Sequence, residues 1–144
     1  MPEKSLTQFI EDSAKQLIVD SSVRTGNRLD LTEESLGLIE AMLDEAVEPT
    51  KASAADVRER IVELFGCYIL EVARKRFGGR YSWYAAQNAP VLVLGDGQAS
   101  LAFLTWGKVA GRLSGDTGDN IPFFYQGFAE RAVQPLPKGG AVYV

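Results

Sequence analysis

The chain has 144 residues, 46% apolar and 24% charged, which is the size and make-up of one globular domain. A net charge of −4 argues against general affinity for phosphate backbones, and the single cysteine, Cys67, rules out an internal disulfide and a cysteine-built zinc site. Histidine is absent, which removes Ser-His-Asp and Cys-His catalysis and the usual zinc, copper and haem ligation.

The segment from Met1 to Ile10 contains Glu3 and lacks the basic-then-apolar pattern of a signal peptide. No apolar run approaches membrane-spanning length, so a cytoplasmic protein is expected. Leu6, Phe9, Ile10, Ala14 and Leu17 recur at helical spacing and predict an amphipathic helix from Ser5 to about Asp20. A second helix is expected after Leu29, with Thr32 as N-cap, Glu33 and Glu34 in its first turn, and Pro49 as its stop. Ser53 is the expected N-cap of a third and longest helix, about Ala54 to Phe77. Its apolar face is wide enough to suggest contact on more than one side. Gly66 interrupts that helix at a cost of roughly 1 kcal/mol, which close approach by another element would explain. Gly78 and Gly79 end it.

The period then changes. Tyr81, Trp83 and Tyr84 favour a strand, and Pro90 to Leu94 is a short apolar run suited to a buried one. After a turn at Gly95–Gln98, Ser100 to Leu104 reads as the returning strand of an antiparallel meander. Helical spacing resumes at Trp106, Val109 and Leu113. A last helix runs from about Ile121 to Val133, with Asp119 or Asn120 as N-cap. The fold class is α+β, four to five helices on a small antiparallel meander sheet, with residues 1–134 as one domain. Residues 135–144 form a loop or tail in which Ala141 to Val144 could be a small edge strand.

Glu71 is the carboxylate of most interest. It falls between Leu64 and Lys75 and near Tyr68, at the edge of the buried stripe. There it is either a general base or a structural acceptor paired with Lys75 or with an arginine, and the structural role is favoured. Cys67 lies mid-helix with no histidine to activate it and reads as a core residue. Arg74, Lys75, Arg76 and Arg80 read as a solvated helix end rather than a nucleic-acid patch. Gly115–Asn120 lacks the ligand pattern of a calcium loop, and no cofactor or metal is expected.

Two blocks, Leu29-Asp30-Leu31-Thr32-Glu33-Glu34-Ser35-Leu36 with Ile39-Glu40, and Gly66-Cys67-Tyr68-Ile69-Leu70-Glu71-Val72, together with Pro90–Val93 and Phe123–Tyr125, resemble small uncharacterised bacterial proteins. Those proteins carry an LDxSxESLxxLE block and a GxYxxEV helix. The resemblance spans about residues 28 to 128. It implies a bacterial, stand-alone domain and transfers no catalytic residue. Small acidic bacterial domains include immunity proteins, which neutralise a toxin by binding it. The expected function is therefore a non-enzymatic binding module for a toxin or other basic protein. Neither nucleic acid nor membrane is expected as a partner. The residues expected to bind are Tyr68, Glu71, Arg74, Arg80 and Trp83. The alternative is a small-ligand binder or histidine-free hydrolase built around Glu71 and Tyr68.

Overall fold

The computed structural model of the chain describes residues 3–144. Helix α1 (Glu3–Asp20) is followed by a single turn, α2 (Ser22–Thr25), then by α3 (Leu36–Lys51) and the long α4 (Ala55–Phe77). Strands β1 (Arg80–Tyr84), β2 (Ala89–Gly95) and β3 (Ser100–Phe103) precede α5 (Trp106–Leu113) and α6 (Ile121–Ala132), and β4 (Ala141–Tyr143) comes last.

The α+β reading holds, and β1, β2 and β3 form the antiparallel meander. Pro90 is tolerated in the central strand for a geometric reason. It stands opposite Trp83, and the alternation of the ladder turns its nitrogen toward β3, which has no strand residue left to pair there. The fourth strand departs from the meander: β4 lies parallel to β3, with Leu101 beside Ala141 and Phe103 beside Tyr143. The small edge strand expected at Ala141 to Val144 is thus present as β4, and residues 135–140 lead into it. Ser100 N–H donates to the Pro137 carbonyl and Gly139 N–H to that of Gln98. The chain then turns through Gly139 and Gly140, both at positive φ, into β4.

The helices lie on one face of the sheet. Alternation sends Tyr81, Leu92, Leu94, Leu101 and Phe103 toward them, where they join Leu6, Ile10, Leu36, Ile39, Leu43, Val109 and Phe128 in a single core. Helix α4 runs through the middle and packs on α1, α3, α5 and β2, and every residue from Phe65 to Ala73 is buried. Phe103 anchors an aromatic cluster: its ring stacks 3.9 Å from that of Phe128, and Phe124 bridges it to Tyr143 of β4.

Three expected boundaries move, each for a local reason. Thr32 caps the turn that leads into α3, accepting from Ser35 N–H at 3.3 Å while its hydroxyl donates to Asp30 (2.6 Å), but the regular helix starts only at Leu36. Pro49 sits in the last turn of α3 without stopping it, since a proline near the end loses only one helical bond. Ser53 donates to the Pro49 carbonyl (3.0 Å) at the end of α3, leaving Ala54 to begin α4 without a side-chain cap. Asn120, by contrast, does cap α6, accepting from Phe123 N–H at 3.0 Å.

Gly66 has the expected explanation. A Cβ at that position would lie 2.3 Å from Cδ1 of Trp106, so the indole of α5 rests directly on the α4 backbone. Gly66→Ala gains helix propensity of roughly 1 kcal/mol but overpacks a rigid ring, at a cost of about 1–3 kcal/mol. Chemical denaturation of the variant should show a net loss of up to about 2 kcal/mol. Combining it with Trp106→Leu should remove that penalty, and a stabilised single variant would contradict the contact.

Candidate functional site

The residues singled out in the sequence do not form one site. Glu71 is only 8% exposed and points from α4 toward β1. Arg74, one turn on, meets it with two parallel bonds, Nε to Oε2 at 2.8 Å and Nη2 to Oε1 at 3.1 Å. Tyr81 of β1 donates to the same Oε2 at 2.6 Å. Burial and the Glu71 charge push the Tyr81 phenol well up, so it stays protonated and keeps its donor role. Arg74 also lies 3.3 Å from Glu11 of α1 and stacks over the Tyr81 ring. The cluster therefore ties α1, α4 and β1 together. Its carboxylate is fully engaged, which is the geometry of a structural acceptor.

The partners expected for Glu71 are corrected in two respects. Lys75 takes no part, because Arg74 is three residues on and reaches the carboxylate with a planar fork that an ammonium lacks. Tyr68 belongs to a separate network: its hydroxyl shares a 2.7 Å bond with Ser35 Oγ and accepts from Leu31 N–H at 2.9 Å. That second bond holds Leu31 at positive φ, a conformation unusual for leucine. Arg80 donates to the Gly95 carbonyl at 2.8 Å across the meander. Trp83, 47% exposed, meets Trp106 edge to face at 6.3 Å. The five residues are thus spread over four separate places, with only Glu71 and Arg74 together. The basic run is likewise used within the fold, with Arg76 bonded to Glu33 at 2.6 Å.

Cys67 is fully buried, and burial pushes its thiol up to about 12. The reading of an inert core residue stands, because a thiolate is not available there near neutral pH.

Arg112 gave no signal in the sequence, where it is one arginine among the apolar positions of a short expected helix. In the fold it is 3% exposed and joins α5 to α3 through two 2.6 Å bonds, Nε to Glu40 and Nη2 to Asp44. The second oxygen of Glu40 accepts from Ile121 N–H at 2.9 Å and so closes the first turn of α6. Glu40 was legible as part of the LxxLE block, but its partners were not.

The described residues form several recesses, one of them, about 260 Å³, beside Gln87, Leu104 and Gly107. A larger one, about 560 Å³, runs between β4 and the end of α6 and is walled by Leu101, Glu130, Arg131, Gln134, Pro137 and Tyr143. A smaller one, about 240 Å³, lies where α3, α4 and α6 meet. Among the described residues no cluster of acidic or thiol groups is placed to hold a metal, and no helix is long and apolar enough to cross a membrane. No protein-family model matches the chain, and no curated protein or solved structure shows significant similarity to it.

Two outcomes follow. Glu71→Gln replaces a charge-assisted network by neutral bonds and leaves Arg74 without its main counter-charge. Because Arg74 is partly solvated, the expected loss is about 2 kcal/mol in urea unfolding rather than the full cost of a buried pair. An unchanged unfolding midpoint would show the network to be dispensable. A thiol reagent at pH 8 should leave Cys67 untouched in the native protein and titrate one thiol once the chain is unfolded in guanidinium. Rapid native labelling would contradict the enclosed position.

Proposed function

We propose that the chain is a non-enzymatic, intracellular bacterial binding module that takes up an extended segment of a partner protein along β4. The observation that carries this reading is the 560 Å³ recess beside that strand. Leu104 N–H donates to the Tyr143 carbonyl at 3.0 Å, so in this parallel ladder Tyr143 faces β3 and Val142 turns its N–H and carbonyl outward. An extended chain laid there would gain strand-type bonds to Val142. Pro135, Pro137, Tyr143 and the aliphatic stem of Arg131 would give it an apolar wall, and Glu130 and Gln134 a polar rim. Neutralising a toxin by direct binding, as immunity proteins among small acidic bacterial domains do, is one form this function would take. The acidic net charge would speed encounter with a basic partner. A small-ligand or hydrolase site around Glu71 and Tyr68 has less support, since the two residues serve different networks and Glu71 is saturated by Arg74 and Tyr81.

Val142→Pro tests the reading. Proline removes the outward N–H while leaving the ladder to β3 intact, as an edge position allows. The variant should melt within about 3 °C of the parent and lose the protein that co-purifies with the parent from its native cells. Arg131→Glu should weaken the same complex. Undiminished recovery of the partner by both variants would sink the proposal.

A further inference from the structure

The groove along β4 is not evenly charged. Glu130 and Arg131 both border it, but they stand about 100° apart around α6. Glu130 falls on the row of Gln126, whose side-chain amide donates to it at 3.4 Å. Arg131 falls on the row of Gly127, which faces β4. A Cβ at Gly127 would lie 2.1 Å from the Tyr143 hydroxyl oxygen, so this glycine lets the Tyr143 ring lie against the helix. The Arg131 guanidinium rests over that ring, 4.8 Å from its centroid, and its Nη1 donates to the Gly127 carbonyl at 3.0 Å. Among the described residues these are its partners, and no carboxylate is one of them. Arg74, Arg76 and Arg112, by comparison, each hold a carboxylate. Arg131 is exposed, yet ring and carbonyl hold it at the groove wall with Nε and Nη2 still to donate.

These positions define what a segment laid along β4 has to offer. We infer that it carries an acidic side chain, aspartate or glutamate, that pairs with Arg131, and an apolar side chain two residues away that packs on Pro135 and Pro137. The inference rests on the β4 reading above and adds the chemistry of the partner. A carboxylate accepts from Nε and Nη2 side by side, the fork that Arg74 presents to Glu71 within this fold. A basic side chain at the same place would meet a like charge. Side chains on one face of an added strand recur every ~6.7 Å, so the next one along falls where the wall continues from Arg131 through Gln134 to the two prolines. The charge comes from a side chain rather than a chain terminus, because a strand added to an edge runs past Arg131 with both ends in solvent. The net charge of −4 repels an acidic segment at long range. That repulsion is screened beyond about 8 Å at physiological ionic strength, so the pair in contact decides the preference.

The probe is the peptide acetyl-Thr-Val-Thr-Asp-Thr-Val-Thr-amide, which places aspartate and two valines on one strand face whichever way it runs. Titrated into isotopically labelled protein at about 0.15 M salt, it should shift the amides of Arg131, Val142 and Tyr143 saturably, with Kd of about 0.1–1 mM. The same peptide with asparagine in place of aspartate should bind about fivefold more weakly, and with lysine at least about tenfold. Moving both valines next to the aspartate, onto the opposite strand face, should also weaken binding about fivefold. Arg131→Glu should reverse the order and take the lysine peptide over the aspartate one, and Arg131→Gln should erase the difference. Both changes lie at an exposed position, so the variants should melt near the parent temperature. Equal binding of the aspartate, asparagine and lysine peptides would overturn the acidic preference and leave the β4 groove standing. Indifference to the position of the valines would overturn the apolar half in the same way. No shift at Val142 with any peptide up to about 10 mM would overturn this inference and the β4 reading together.

Discussion

A helix enclosed over nine consecutive residues cannot carry an uncompensated polar group, and α4 is such a helix from Phe65 to Ala73. Much of the architecture meets that condition. The Tyr68 hydroxyl requires Ser35 and the Leu31 amide, which sets the backbone before α3. Glu71 requires Arg74 and Tyr81, which draws β1 onto the helix. The Gly66 carbonyl accepts the hydroxyl of Thr105 at 2.7 Å, just where α5 begins and Trp106 settles on the missing Cβ. Each polar residue of the enclosed segment thus fixes one neighbouring element in place.

The same condition explains why reading for function picked out Tyr68 and Glu71. A carboxylate and a tyrosine on an apolar stripe look like a reactive pair. A helix wrapped on all sides produces the same pattern for structural reasons, with partners contributed by segments distant in sequence. Elements were legible where periodicity was strong: the stripe of α1, the wide face of α4, the apolar run at Pro90–Leu94. The sheet-forming turn at Gly95–Gln98 was legible from composition, and Asp96 does receive the amides of Gln98 and Ala99 there. Asn120 caps α6 where expected, accepting from Phe123 N–H, whereas Thr32, which also bonds Asp30 two residues earlier, caps only a lead-in turn before α3.

The recesses were out of reach of the sequence. The one beside β4 depends on a parallel pairing between Phe103 and Tyr143, forty residues apart, and three residues of strand pattern carry no sign of direction. The recess beside Tyr125 combines residues far apart in the chain, Glu33 before α3 and Tyr125 in α6. Their spacing along the chain says nothing about their meeting.

The bond from Arg112 to Glu40 has a bearing on how this chain can change over generations. Glu40 holds the α5 arginine with one oxygen and the first amide of α6 with the other, so a substitution at 40 disturbs two junctions at once. Replacing Arg112 alone would leave Glu40 and Asp44 without their cation, and replacing Glu40 alone would leave Arg112 with Asp44 only. Drift at either position is therefore open mainly to lineages that alter both. Positions 40 and 112 should behave as a single inherited unit, although 72 residues separate them in the chain.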